Sequence, residues 1–292
     1  MNMIKIKAYA KINIALDVLD RRDDGYHDVR MIMNQIGLHD IVSLKLNDSG
    51  EISLSSDSSD IPRDGSNLAY KAAVLFFEAL AEKHNKKDGV SIHIEKNIPV
   101  SAGLAGGSTD AAAVLKGLNE LYNFILTRDE LLNMGASIGS DVPYCIMGGC
   151  AYAYGRGEKL RHLESPDKAY VLLVKPGFGV STGEAYGAID KASDNIHPDV
   201  SSIKKILEER SASIADIAPY MGNTFENVIC SAHPVLKDII DGIEKTGPIK
   251  TMMSGSGPSV FAMFERKEEA ENAANKLKSE YSNLDIYVTE LI

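Results

Sequence analysis

Near the start of the chain the hydrophobic positions fall on every second residue. Ile4, Ile6, Ala8, Ala10, Ile12, Ile14, Leu16 and Val18 alternate with a second set that includes Tyr9, Lys11 and Asn13, the period of a half-buried strand. Asp24-Gly25 supplies a tight turn, and MIMNQIGLHDIVSLKL followed by EISLS continues as sheet, so the opening of the chain is mainly β. A polar loop over 55–66, SSDSSDIPRDGS, precedes helical spacing in NLAYKAAVLFFEAL. Strand alternation returns in VSIHI at 90–94, a glycine-rich loop follows, and DAAAVLKGLNELY resumes the helical period near Asp110. Thr127 and Glu130 form a capping box for a helix ending near Ile138, and AYAYGRGEKL reads as a hairpin around Gly155 to Gly157.

The pattern restarts with YVLLVKPG after SPDK at 165–168. Beyond it the spacing predicts amphipathic helices around 181–191, 200–209 and 235–245. A strand-turn-strand, IKTMMSGSGPSVFAMF, comes next, then a charged helix over 267–280 and a final strand DIYVTELI. This order predicts an α+β protein with two domains, 1–165 and 166–292. No internal repeat or low-complexity segment points to a solenoid or a disordered scaffold.

The 292-residue length fits two domains at about 150 residues each. No apolar run approaches the ~18 residues needed to cross a bilayer, and the N-terminus lacks the apolar block of an export signal, so a cytoplasmic protein is expected. The net charge of −10 argues against a broad nucleic-acid or membrane surface, because either requires clustered basic residues. An anionic substrate must then be met by local donors. Cys145, Cys150 and Cys230 have no paired zinc spacing and are expected to be reduced and buried.

PVSAGLAGGSTDAA, residues 99–112, lies between a strand and a helix. It lacks the lysine of a Walker loop and the spacing of a dinucleotide loop. Glycines that let amides approach an anion, leading into a helix N-terminus, nonetheless make a phosphate cradle. Ser108 or Thr109 would cap the helix or face the phosphates. A plain tight connection explains the same glycines equally well.

Three other places bear on the choice. Strand parity puts Tyr9, Lys11 and Asn13 on one face, the last two about 7 Å apart. In GSDVPYC, Asp141 stands just past a helix, where a cap or an Asx turn is the commoner role. Ser254 to Ser259 form a small-residue turn between two apolar strands.

Together these resemble the GHMP kinases, the galactokinase, homoserine, mevalonate and phosphomevalonate kinase superfamily. The resemblance runs through AYAKINIALDVLDRRDDGYH, IPVSAGLAGGSTDAAAVLKGLN, IGSDVPYC, KPGFGVSTGEAY and SGSGPSVFAMF. GYH paired with AKINIAL selects the branch whose acceptor is a cytidine diphosphate-linked polyol of non-mevalonate isoprenoid synthesis. The resemblance implies a two-domain GHMP kinase fold, with an N-terminal domain like domain 2 of ribosomal protein S5 that binds ATP and a ferredoxin-like C-terminal domain. It implies ATP and Mg²⁺, with no metal ligand assigned and Ser108 the candidate. Phosphates would lie on the loop Pro99, Val100, Ser101, Ala102, Gly103, Leu104, Ala105, Gly106, Gly107, Ser108 and Thr109, mainly on amides from Gly103 onward. Ser101, Ala102 and Ala105 stand where glycine is common in the family. Asn67, Leu68 and Lys96 would form the nucleoside pocket.

The implied catalytic residues are Lys11, a cation, and Asp141, a proton acceptor or an electrostatic positioner. Asn13 would orient the acceptor, His27 would hydrogen-bond the cytosine edge, and Tyr26 and Tyr186 would contact or stack on the ring. Another small-molecule GHMP kinase and a silent member that binds without turnover remain as alternatives. Lys11 together with Asp141 argues against the silent one. No partner protein is marked, and the oligomeric state is open.

Overall fold

The computed structural model describes residues 3–84, 88–192 and 195–292. The first half runs β1 (Met3–Arg21), β2 (His27–Asn47), β3 (Ile52–Ser56), α1 (Leu68–His84), β4 (Gly89–Glu95), α2 (Gly106–Leu121), α3 (Arg128–Ile138) and α4 (Val142–Met147). There follow β5 (Cys150–Gly155), β6 (Lys159–Leu163), β7 (Tyr170–Pro176), α5 (Thr182–Ile189), α6 (Val200–Glu209) and α7 (Ile214–Ile217). The chain ends with β8 (Gly222–Asn223), α8 (Thr224–Ala232), α9 (Val235–Glu244), β9 (Lys250–Met253), β10 (Val260–Phe264), α10 (Lys267–Glu280) and β11 (Leu284–Glu290). The α+β expectation holds. No helix among the described residues is long and apolar enough to cross a membrane.

Two compact units emerge. One comprises the residues up to Ala10, Leu38–Val100 and Ala105–Gly148; the other comprises Lys11–Gly37, Ser101–Leu104 and Gly149–Ile292. In the first unit the second half of β2 pairs antiparallel with β4, from Ile41 opposite Glu95 to Asn47 opposite Gly89, and β3 runs parallel to β4. Helix α2 packs between α1 and α4, and Ala111, Ala112, Ala113, Val114, Leu115 and Leu118 are all buried, so it is apolar around most of its circumference. Gly117 lets α2 lie close on the sheet: a Cβ there would stand 2.5 Å from the Cδ1 atoms of both Ile6 and Leu44. The capping box of Thr127 and Glu130 is formed as read, and α3 ends at Ile138.

In the second unit the first half of β2 pairs with β5, β5 with β6, and β1 runs parallel to the short β8. The 155–157 hairpin is therefore present. Strand β1 departs from the half-buried expectation, because every residue from Ala10 to Val18 is buried. The odd positions Lys11, Asn13 and Asp17 escape solvent because each finds specific polar partners. A four-stranded antiparallel sheet in the order β11-β7-β10-β9 packs against α9 and α10. Numbered by chain position, that order is 4-1-3-2, the ferredoxin-like arrangement expected for this half. Cys145 and Cys150 are buried, while Cys230 is only half-buried, a correction to the reading of all three as core residues; none is disulfide-bonded.

Candidate active site

Lys11 is 4% exposed, and its Nζ donates to Asn13 Oδ1 at 2.6 Å and to the Gly103 carbonyl at 3.2 Å. Asn13 is fully buried and donates its own Nδ2 to Met31 Sδ at 3.3 Å. Its oxygen is thus held by the lysine and one amide hydrogen by a thioether. Both Lys11 partners are neutral, and among the described residues Lys11 forms no ion pair. A buried ammonium without a counter-charge is costly.

The turn after β9 reaches this lysine. Gly103 has φ +73°, and its carbonyl also accepts the Ser254 hydroxyl at 3.1 Å. A methyl group on Gly103 would overlap the Ser254 carbonyl, and one on Gly255 would lie 2.9 Å from the Gly103 oxygen and 3.4 Å from Lys11 Nζ. Only glycine allows so close an approach. Asn223 Nδ2 fixes the turn by donating to the carbonyls of Met253 and Gly255, both at 2.8 Å.

In the first unit, α2 begins at Gly106, four residues earlier than the periodicity indicates, with Ala105 at the N-cap in the left-handed region, φ +59°. No side chain caps it. Thr109 is already inside the helix: its amide donates to the Ala105 carbonyl at 2.9 Å and its hydroxyl to the Tyr9 carbonyl at 2.8 Å. Neither Ser108 nor Thr109 is a cap, and the amides left for an anion in the first turn are those of Gly106, Gly107 and Ser108. The Ser108 hydroxyl makes no hydrogen bond among the described residues.

The nucleoside candidates stand beside that turn. Leu68 Cδ1 is 3.7 Å from the position a Cβ would take on Gly107, and Lys96 Nζ is 3.3 Å from the one on Gly106. The Asn67 side chain accepts from the Ala69 amide at 2.8 Å and donates to the Pro62 carbonyl at 2.7 Å, so it caps α1. Lys96 Nζ donates to Asp40 and, at 3.1 Å, to Asp110. Asp40 in turn accepts from the amides of Asn97 at 2.6 Å and Ile98 at 2.8 Å. Burial pushes the Asp110 carboxyl up to about 7, against the pull of Lys96 and with the help of Asp40. The same two carboxylates raise the Lys96 ammonium in spite of its burial.

Along the loop, Ala102 and Leu104 are buried and offer only backbone, whereas Val100 and Ser101 are exposed. Ser101 at φ +53° and Ala105 hold left-handed conformations where the family favours glycine. Asp141 occupies the N-cap position of α4, yet its side chain makes no cap hydrogen bond. The commoner structural role is thus left unused by its carboxylate.

His27 and Tyr186 come together in the second unit, with Tyr26 beside His27 in the chain. His27 stacks on Tyr186 with centroids 5.0 Å apart and planes 19° apart, and Tyr186 meets Phe225 edge-on at 5.0 Å. Tyr26 is 55% exposed, with the Arg156 guanidinium 5.0 Å from its ring centroid. The Nε2 of His27 pairs with Asp190 Oδ1 at 2.9 Å. One ring nitrogen of His27 is thus taken, and a face of Tyr186 meets the histidine.

The family model for the GHMP kinases N terminal domain matches residues 67–149, and that for the GHMP kinases C terminal matches residues 190–283. The chain belongs to the GHMP kinase family. Similar proteins include the 4-diphosphocytidyl-2-C-methyl-D-erythritol kinases of Brevibacillus brevis, 44% identical over 99% of this chain and 96% of that protein, and of Clostridium tetani, 45% identical over 99% and 100%. Among solved structures, a 4-(cytidine 5'-diphospho)-2C-methyl-D-erythritol kinase superposes with TM-score 0.78 at 30% identity, covering 99% of each chain. Homoserine kinase from Cytophaga hutchinsonii shares the fold, with TM-score 0.77 at 20% identity over 99% and 95% of the two chains.

For this GHMP kinase, pattern reasoning names Lys96, His27 and the turn after β9 but not the side chains that hold them. Asp110 has a visible signal, a lone acid opening the run AAAVL of a buried helix. Asp40, Asn223 and Asp190 have none, since each acts on a residue far away in the sequence. Among the described residues no three acidic, histidine or cysteine side chains gather as a metal site.

Proposed function

We propose that this GHMP kinase transfers the γ-phosphoryl group of ATP to the 2-hydroxyl of 4-diphosphocytidyl-2-C-methyl-D-erythritol, a step of non-mevalonate isoprenoid precursor synthesis in the cytoplasm. The observation that carries a phosphoryl-transfer reading is Lys11, a buried ammonium with only neutral partners, one of them the carbonyl of a phosphate-loop glycine. Full-length relatives named for this acceptor support the choice of substrate.

In this reading residues 1–165 form the ATP-binding domain and 166–292 the C-terminal domain. The amides of Gly106, Gly107 and Ser108 and the dipole of α2 receive phosphate oxygens. Asp141 takes the proton of the acceptor hydroxyl as the new O–P bond forms, and the bond to the β-phosphate oxygen breaks to release ADP. Lys11 offsets negative charge on the transferring group. Asn13 acts one step back, by aiming Lys11. Mg²⁺, held with the phosphates and by the free Ser108 hydroxyl, would supply charge neutralisation.

An ADP-release assay with the cytidyl-linked acceptor, the uncapped methylerythritol phosphate, phosphomevalonate and homoserine tests the proposal. Turnover of the first with kcat/KM about 10⁴ above the uncapped phosphate is expected, because a site built around a polar group rejects the analogue lacking it. Preference for homoserine or phosphomevalonate would overturn the acceptor, and ligand binding without ADP release would overturn the kinase reading.

A further inference from the structure

We propose that Asp190 is a positioning residue that fixes the ring tautomer of His27, and that this tautomer makes the acceptor site accept cytosine and reject uracil. The inference rests on the cytidyl acceptor proposed above. A carboxylate offers only lone pairs, so the 2.9 Å contact between Asp190 Oδ1 and His27 Nε2 places the hydrogen on Nε2. In the neutral imidazole Nδ1 is then a bare acceptor, and among the described residues it has no partner. The ring cannot easily turn to exchange its nitrogens: it is 7% exposed and lies flat against Tyr186, which is itself braced by Phe225.

The place of Asp190 argues that it serves His27 rather than its own helix. It is the C-cap residue of α5, where carbonyl dipoles present their negative end and an acid is unfavourable. Arg21, 3.6 Å away, offsets that repulsion, and the His27 Nε2–H donates to the carboxylate. A helix selected only for stability would carry a basic or neutral residue there.

The consequence for recognition is set by the base edges. Cytosine presents an exocyclic amine, a donor that matches a bare Nδ1. Uracil presents a carbonyl oxygen at the same place, lone pair against lone pair. With the proton on Nδ1 the preference would reverse. The tautomer therefore selects between two bases of nearly identical shape, which stacking alone treats alike because every base has a π-face.

The test measures kcat/KM of the full chain for the cytidine and uridine diphosphate-linked acceptors at saturating ATP, in wild type, Asp190→Asn and Asp190→Glu. Wild type is expected to prefer the cytidine compound by about 10² or more. Asp190→Asn, whose amide can donate to Nε2 and so move the ring proton to Nδ1, is expected to reduce that ratio at least about tenfold with KM for ATP unchanged. Asp190→Glu, which keeps an acceptor, should restore most of it. An unchanged ratio in a folded Asp190→Asn overturns the inference, as does a general loss of activity with the ratio intact. Nitrogen-15 NMR of His27 in the wild type decides the point independently of any variant: a protonated Nε2 with bare Nδ1 is expected, and the opposite tautomer overturns it. Failure of the wild type to use the cytidyl acceptor would instead remove the proposed substrate, leaving the NMR result to judge the role of Asp190.

Discussion

Lys11 and Asn13, two residues apart on β1, point to the same side of the strand and are joined by a 2.6 Å hydrogen bond from ammonium to amide oxygen. The asparagine limits where the charge can go. Lys11→Ala is expected to lower kcat by ~10²- to 10⁴-fold, and Asn13→Ala by ~10- to 100-fold because the ammonium remains but loses its aim. Steady-state kinetics combined with nucleotide titration checks both, since nucleotide affinity should move far less than turnover.

Asp141 stands at a helix start without capping it. Asp141→Asn keeps the shape and removes the proton acceptor, so kcat should fall ~10²- to 10⁴-fold while the melting temperature stays close to wild type. A large loss of stability with modest loss of kcat would show that the residue serves the fold.

The loop responds to backbone and to space in different places. Ala105 at φ +59° bears left-handed strain of ~1–2 kcal/mol, against which glycine's flexibility costs ~0.5–1 kcal/mol. Ala105→Gly should therefore raise stability by about 0.5–1 kcal/mol in thermal or chemical denaturation.

Gly106 is not left-handed, and its constraint is room: a Cβ there already lies 3.2 Å from Ile98 Cγ2 and 3.3 Å from Lys96 Nζ. Gly106→Val should weaken nucleotide binding, read by titration of the folded variant, by crowding the first turn of α2 and the Lys96 network together.

The same network predicts a pH dependence. Asp110 is raised from 3.8 to about 7 in the folded protein, so between those pH values the native state holds a proton that the unfolded chain has lost. Its contribution to stability is complete below about pH 4, declines as pH rises towards 7, and is flat above. Asp110→Asn cannot titrate. The stability difference between wild type and this variant, from denaturant midpoints over pH 4.5 to 8, should fall steadily across the window. Parallel curves would mean that Asp110 is ionised throughout.

Elements whose signal is local were readable from the chain. Helix α10 occupies 267–280 as its charge pattern indicates, and Thr127 and Glu130 close their capping box because both partners lie within one turn. The segment from Ile214 to Ala232 was not read, since α7 and β8 are too short to show a period and α8 follows them directly. Burial of β1 on both faces was hidden for another reason. Lys11, Asn13 and Asp17 on its odd positions are polar, and polarity normally signals solvent, whereas Lys11 and Asp17 are held by hydrogen bonds to Gly103 and His197, distant in sequence. The catalytic candidates were legible as residue types in a family pattern. Their supports, Asp40 for Lys96 and Asp190 for His27, are 56 and 163 positions away and become visible only once the chain is folded.

The unpaired ammonium of Lys11 also sets a trade-off between durability and work. A charge held out of water with neutral partners is costly to the resting protein. Lys11→Met should thus melt higher than wild type when no nucleotide is present and gain less from adding it. The residue expected to weaken the empty enzyme is thus the one proposed to act in the loaded enzyme.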